Sequence, residues 1–458
     1  MSFFSIKFLL FFAVVLLLLW KIQAVKCQQL ILLAASFIFY ACWDWRLLTL
    51  LIAMSLTVWQ AAKYVSTSRM ALLAGVTVPL IALGVCKYLG FFYDNFAALL
   101  GLNHSGTLEI ILPLGISFYT FLSLSYIFDV YHKKIPAEAS PLPVMLYISF
   151  FPTVTSGPIT KARDLLEQFK LTRQITGENL TAGLQIFVMG CLKKFVLADN
   201  LGVFVDDVYT APLAFDSATV WLAVIAYAMQ LYFDFAGYSD MAIGIARAMG
   251  FKLSENFNMP YLAQNISEFW KRWHISLSSW LQEYLYIALG GSRCSQVKIY
   301  RNLMLTMTIC GLWHGADWNF ILWGVLHGLL LCGYRVYRNT WGQNMNLSSP
   351  VKVLMTSFAV TLCWIFFRSP DMTCTGEIFY RLFVWENFGV QQMYVHAWIG
   401  IILLVIMSIY AAKYNAWQGP YLIMDIKRPT RFFVFCMELF FLFGLMYTGS
   451  NPFVYASF

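Results

Sequence analysis

The chain has 458 residues, of which 60% are hydrophobic and 12% charged, and it carries a net charge of +8 from 31 Lys and Arg against 23 Asp and Glu. That is about half the charged fraction of an ordinary soluble domain, and a globule of this size cannot hide so much apolar surface. Such a composition excludes a soluble enzyme, a disordered chain and a secreted disulfide scaffold, and it points to an all-α polytopic membrane protein. The basic excess contains no run of Lys and Arg interleaved with aromatics, so it reads as cytoplasmic loop charge under the positive-inside rule, with no nucleic-acid partner expected.

Residues 1–20 form an apolar run that holds one charge, Lys7, and Lys21 follows it. No small-residue cleavage pattern closes the run, so it reads as a retained first span rather than a signal peptide. Lys21 and Lys26 beyond it weakly favour an outside N-terminus. Charge-free stretches then cover 27–43, 47–62, 70–86, 110–128 and 139–160, and later 217–233, 302–316, 318–334, 353–367, 397–412 and 439–458. A helix needs roughly 17–25 residues to cross the hydrocarbon core. With the first run, this gives an expectation of about eleven to thirteen transmembrane or re-entrant helices. With no repeat, linker or low-complexity tract, residues 1–458 read as one membrane domain.

Charged segments are of two kinds. Lys161 to Arg173 reads as a short amphipathic loop helix facing the cytoplasm. Residues 234–301 instead mix Trp, Tyr, Asn, Ser, His, Arg and Asp with apolar residues. Within them, Asn265 followed by Glu268 resembles a capping box and predicts a helix start. Trp270, Trp273, Leu277, Trp280 and Tyr284 recur at three- and four-residue spacing, and Lys271, His274 and Ser278 fall on a second stripe of the same predicted helix. Gly290 and Gly291 close it.

Two apolar helices are expected to flank the segment Gly311 to Trp318. Gly311 and Gly315 suit a helix break or close approach. His314 ends an uncharged run between Trp313 and Trp318, and an ionisable side chain at membrane depth is costly and usually functional. Its titration range suits general acid–base work. His327, thirteen positions later, favours a structural role. No metal is expected, because HxxxH and HExxH spacings are absent. No GxSxG elbow marks a serine hydrolase. Ten cysteines without a CxxC pair, such as Cys310 and Cys363, read as small buried hydrophobes.

The run DFAGYSDMAIGIARAMGFKLSENFNMPYLAQNISEFWKRWHISLSSWLQEYLYIALGGSR, followed by GLWHGADWNFILWGVLHG, strongly resembles the membrane-bound O-acyltransferases. Within them it is similar to the alginate O-acetylation branch, which serves several bacterial polysaccharides. Residues 112–131, 150–159 and the ending NPFVYASF resemble the same branch. The resemblance implies a ring of tilted helices around a central tunnel that joins a cytoplasmic acyl donor to an outer acceptor. It implies that His314 is the catalytic histidine and His274 a second one near the reaction chamber. Around them, Tyr238, Asp240, Asn256, Lys271, Arg272, Trp273, Ser278, Trp313 and Trp318 are candidates for lining the tunnel or holding substrate. Asp240 could orient a histidine or cap a helix.

The chain departs from the family pattern where Leu281, Gln282, Glu283 and Tyr284 replace Leu-Arg-Asp-Tyr, at Ala288 in place of Pro, and at Thr153 in place of Gln. Both histidines are intact. The implied activity is acetyl transfer from acetyl-CoA or another acetyl thioester, with no bound cofactor, at a bacterial inner membrane. The implied partners are the polysaccharide or an extracytoplasmic SGNH-type acetyltransferase. Alternatives are D-alanyl transfer to teichoic acid and, from another class, a small-solute transporter with broken helices.

Overall fold

The computed structural model describes residues 1, 3–101, 110–340, 347–391 and 429–447, with a few single positions around 394–402 and 449. Most of the charge-free stretch 397–412, most of 448–458 and the NPFVYASF ending lie outside the described residues. Among those described, the protein is helical throughout and no strand is formed. Among the described residues, six helical stretches are long and apolar enough to cross a membrane: Trp45–Ala62, Arg69–Leu99, Gly177–Thr210, Ser217–Ala248, Trp318–Thr340 and Ser349–Arg368. The protein is a multi-pass membrane protein. Two compact units divide the described residues, one within 1–187 and 239–254, the other within 188–238 and from 255 onward.

The first unit begins with α1 (Ile6–Lys21), whose N-cap Ser5 Oγ accepts from the Phe8 N–H at 3.2 Å. At 16 residues α1 is shorter than the long spans. Next come α2 (Val25–Ala41), α3 (Trp45–Ala62) and α4 (Arg69–Leu83), the last continuing through a π turn into α5 (Leu89–Leu99). Leu73, Ile81, Phe92 and Phe96 on this stretch are exposed, as apolar side chains facing lipid would be. α6 (Ile116–Tyr131) is almost wholly buried. The stretch 139–160 is not a span. α7 stops after Pro141–Ser149, and 150–157 turn back as buried chain, with Tyr147 Oη donating to the Thr160 carbonyl at 3.0 Å. Short apolar runs of this kind are more often core than membrane crossing. α8 (Ala162–Phe169) is the amphipathic helix expected within 161–173, burying Leu165, Leu166 and Phe169.

α9 (Gly177–Cys191) runs through a π turn into α10 (Asp199–Thr210), a continuous 34-residue stretch that charge-free segmentation passes over. The reason lies in the second unit. Lys194 Nζ contacts Asp199 Oδ1 at 2.8 Å and, on α11 (Ser217–Ala248), Asp234 Oδ1 at 2.5 Å, with all three side chains at most 7% exposed. Charges that pair inside the protein do not stop a helix from spanning.

The rest of the second unit comprises α12 (Ile266–Arg272), α13 (Ile275–Leu281), α14 (Gln296–His314), α15 (Trp318–Thr340), α16 (Ser349–Arg368), α17 (Met372–Phe383) and α18 (Pro429–Leu445). α14 and α15 form a tight antiparallel hairpin. A Cβ on Gly311 would lie 2.2 Å from the Phe320 carbonyl oxygen, and one on Gly324 would lie 2.3 Å from that of Met307. The close approach expected at Gly311 is present, and it sets His314 at the mouth of the turn.

Candidate active site

Asn265 caps α12 as its sequence predicts, its Oδ1 accepting from Glu268 N–H at 2.8 Å, while Glu268 Oε2 accepts from Gln264 N–H at 2.9 Å. The helix does not continue to Gly290, as the aromatic stripe suggests. It ends at Arg272, and His274 takes a left-handed conformation (φ +42°, ψ +54°) before α13 begins. A non-glycine residue in this region carries backbone strain and persists where its surroundings enforce it. Two backbone bonds bracket the strained turn: Asn258 N–H donates to Arg272 O at 2.9 Å, and Ile275 N–H donates to Asn256 O at 2.8 Å. Lys271, His274 and Ser278 therefore do not share a stripe. Lys271 is exposed, His274 is fully buried, and Ser278 Oγ caps the break by donating to Trp273 O at 3.1 Å.

The same loop supplies the partner of His274. Nδ1 lies 2.9 Å from Asn256 Oδ1, and that oxygen also receives the Ser276 hydroxyl at 2.8 Å and the Ser276 backbone N–H at 3.3 Å. A backbone N–H can only donate, so the carboxamide atom at this point is the oxygen. An oxygen there requires the proton on His274 Nδ1, which leaves the lone pair of the neutral ring on Nε2. Phe235 packs edge-on to the ring at 4.6 Å. Burial pushes the His274 pKa down to about 3, so the ring is neutral at physiological pH.

His314 is the last residue of α14 and 3% exposed. Trp313, Trp323 and Phe367 wall its ring at 4.8, 5.1 and 5.1 Å, each near edge-on, and Cys310 Sγ lies 3.9 Å from Nε2. Trp313 neighbours both histidines, 6.2 Å from His274 and 4.8 Å from His314. The structure thus gathers two buried imidazoles around one indole, in surroundings of low dielectric where polar interactions are strong.

The other candidates divide. Asn256, Trp273 and Trp313 are buried in this second unit beside the histidines, Trp273 packing on Phe257 at 5.1 Å and Trp364 at 4.9 Å. Arg272 is committed to Glu268 at 2.7 Å and to the Asn258 carbonyl, so it fastens the loop. Trp318 is 53% exposed. Tyr238 and Asp240 lie in the interior of α11. Ser276, Phe235, Trp323 and Phe367 escaped the sequence reading, and Cys310 entered it only as a small buried hydrophobe. Of these, only Ser276 carries a local signal, its place two residues after His274. Among the described residues no three His, Cys, Asp or Glu side chains gather as a metal site.

An all-α membrane protein with a buried histidine pair fits the class of membrane acyltransferases. A family model for the membrane-bound O-acyltransferases matches residues 37–375, and the chain belongs to that family. It is an O-acyltransferase rather than a solute carrier. It is similar to a probable alginate O-acetylase of Pseudomonas syringae pv. tomato, 38% identical over 426 residues that cover 90% of this chain and 80% of that protein. A peptidoglycan O-acetyltransferase of Helicobacter pylori is 37% identical over 377 residues, covering 75% of this chain and 71% of its own. A teichoic acid D-alanyltransferase of Bacillus subtilis matches at 32% over 237 residues, 49% of this chain and 59% of its own.

Proposed function

We propose that the protein takes an acetyl group from acetyl-CoA or another acetyl thioester and delivers it for O-acetylation of an extracytoplasmic polysaccharide, working in a bacterial inner membrane. The observation that carries this reading is the pair of buried histidines that both neighbour Trp313. Support for acetyl over D-alanyl comes from the comparisons: the O-acetylating relatives align over 75–90% of this chain, the D-alanyltransferase over 49%.

In this mechanism His314 is the general base. A ring-nitrogen lone pair of His314 accepts the proton of the acceptor hydroxyl as the hydroxyl oxygen attacks the thioester carbonyl. The C–O bond forms, the C–S bond breaks, and the departing thiolate takes the proton back from His314. Base catalysis of this kind is worth roughly 10²–10⁴ in rate. His274, neutral and oriented through Nδ1–H, presents Nε2 as an acceptor that can position the hydroxyl. The acceptor is the polysaccharide itself or an extracytoplasmic SGNH-type transferase that passes the acetyl group on.

The test is His314→Ala in membranes containing the native acceptor system. The expected result is normal accumulation of the protein and loss of acetyl transfer by at least about 10²-fold. Acetylation at the wild-type rate would overturn the assignment.

A further inference from the structure

His327 lies on α15 two turns beyond the His314 hairpin mouth and is completely buried. Its ring meets Trp323 at 4.8 Å and Trp270 at 5.1 Å, and those two indoles meet each other at 5.8 Å, so the three rings form a closed triangle. Neither ring nitrogen of His327 has a hydrogen-bond partner among the described residues, and neither do the buried Nε1 atoms of Trp270 and Trp323. The neighbouring indole behaves differently. Trp364 Nε1–H donates to Tyr261 Oη at 3.2 Å, and Tyr261 in turn donates to the Ala228 carbonyl at 2.7 Å. An indole N–H can only donate, and a neutral imidazole has one donor and one acceptor. The triangle therefore offers three donors and one acceptor in a place where unpaired polar groups are costly. Such a set suits an oxygen that only accepts.

Position narrows the choice. Trp323 touches both His314, at 5.1 Å, and His327, at 4.8 Å, so the donor set shares an indole with the wall of the proposed base. Biological acyl thioesters carry an amide carbonyl a few bonds from sulfur along the thiol arm. We propose that Trp270, Trp323 and His327 form a hydrogen-bond-donor site for an amide carbonyl of the thioester donor's arm. The proposal rests on the reading of the chain as a thioester-dependent acetyltransferase.

Two model donors of similar length test it on the full-length protein in membranes: S-acetyl-N-acetylcysteamine, which has one amide, and S-butyl thioacetate, which has none. Wild type is expected to prefer the amide-bearing donor in kcat/KM by about tenfold, the factor that one hydrogen bond to a neutral acceptor is worth. Trp270→Phe keeps a ring and removes one N–H, and His327→Leu removes both ring nitrogens. Each is expected to lower that preference to below threefold, while His327→Asn, which retains an N–H, restores most of it. Should His327→Leu fail to accumulate, Trp270→Phe decides. A preference unchanged in Trp270→Phe means that the triangle holds solvent or merely packs, and this overturns the proposal. If wild-type membranes transfer acetyl from neither thioester nor from acetyl-CoA, the acetyltransferase reading itself fails and the site falls with it.

Discussion

The carboxamide of Asn256 holds the imidazole of His274 by a 2.9 Å bond to Nδ1, and the Ser276 backbone N–H on the same oxygen fixes which end of the carboxamide faces the ring. The pair is joined across 18 residues by a loop whose two backbone bonds hold the left-handed turn at His274. Asn256→Ala removes the acceptor for three donors and leaves them buried. We expect it to cost about 1–3 kcal/mol in stability and to lower kcat more than it raises KM. Asn256→Asp keeps the geometry and adds a negative charge, which favours the protonated imidazole. Its pH–rate profile should gain an acid limb displaced upward from that of wild type. An unshifted profile would argue that Asn256 only packs the loop.

Burial of His274, which lies outside the membrane-spanning helices, makes stability depend on pH. Its pKa is near 3 in the folded protein and 6.5 when free. Below pH 6.5 the unfolded chain takes up a proton that the folded one refuses until about pH 3. The stabilisation is therefore complete above pH 6.5 and declines as pH falls, by at most about 1.4 kcal/mol per pH unit. Thermal unfolding in detergent between pH 7 and 5 should show a falling Tm, and His274→Gln should flatten that slope.

Lys194, Asp199 and Asp234 test the buried charge cluster. Lys194→Met strands two carboxylates without their cation, and breaking a buried pair from one side costs about 3–5 kcal/mol. The variant should lose thermal stability by that amount. Adding Asp199→Asn and Asp234→Asn should recover most of it, because the desolvated charges are then gone. A single variant as stable as wild type would mean that water reaches the cluster.

Gly311→Ala places a methyl group 2.2 Å from the Phe320 backbone oxygen, an atom that cannot rotate away. The α14–α15 hairpin must then separate, and His314 sits three residues further on. Poor accumulation and a loss of activity exceeding tenfold are expected, in line with overpacking costs of about 1–3 kcal/mol or more. Gly333→Ala on α15 is the control. A Cβ there meets nothing within 4 Å, and helix propensity favours alanine by about 1 kcal/mol.

Particular residues show what could be read from the chain. The Asn265 cap, the amphipathic helix near 162–169 and the close approach at Gly311 rest on interactions within a turn or two, and such interactions leave local patterns. The α9–α10 stretch was missed because a Lys at 194 looks like a helix boundary until Asp234, forty residues away, is seen to neutralise it. The stretch 139–160 erred in the opposite direction. Its lack of charge reflects burial in a folded turn and not contact with lipid.

Composition by itself determined that this protein is helical and membrane-embedded, because burying so few charges and so many apolar side chains leaves no soluble solution. Long motifs singled out His274 and His314. What tertiary structure decided was their chemistry. The tautomer of His274 depends on an oxygen 18 positions upstream, and the walls of His314 come from α15 and α16. That the nitrogens of Trp270, Trp323 and His327 lack partners among the described residues is equally invisible in sequence. Whether a buried donor is satisfied depends on which atoms lie within about 3 Å of it, and periodicity along the chain holds no record of that distance.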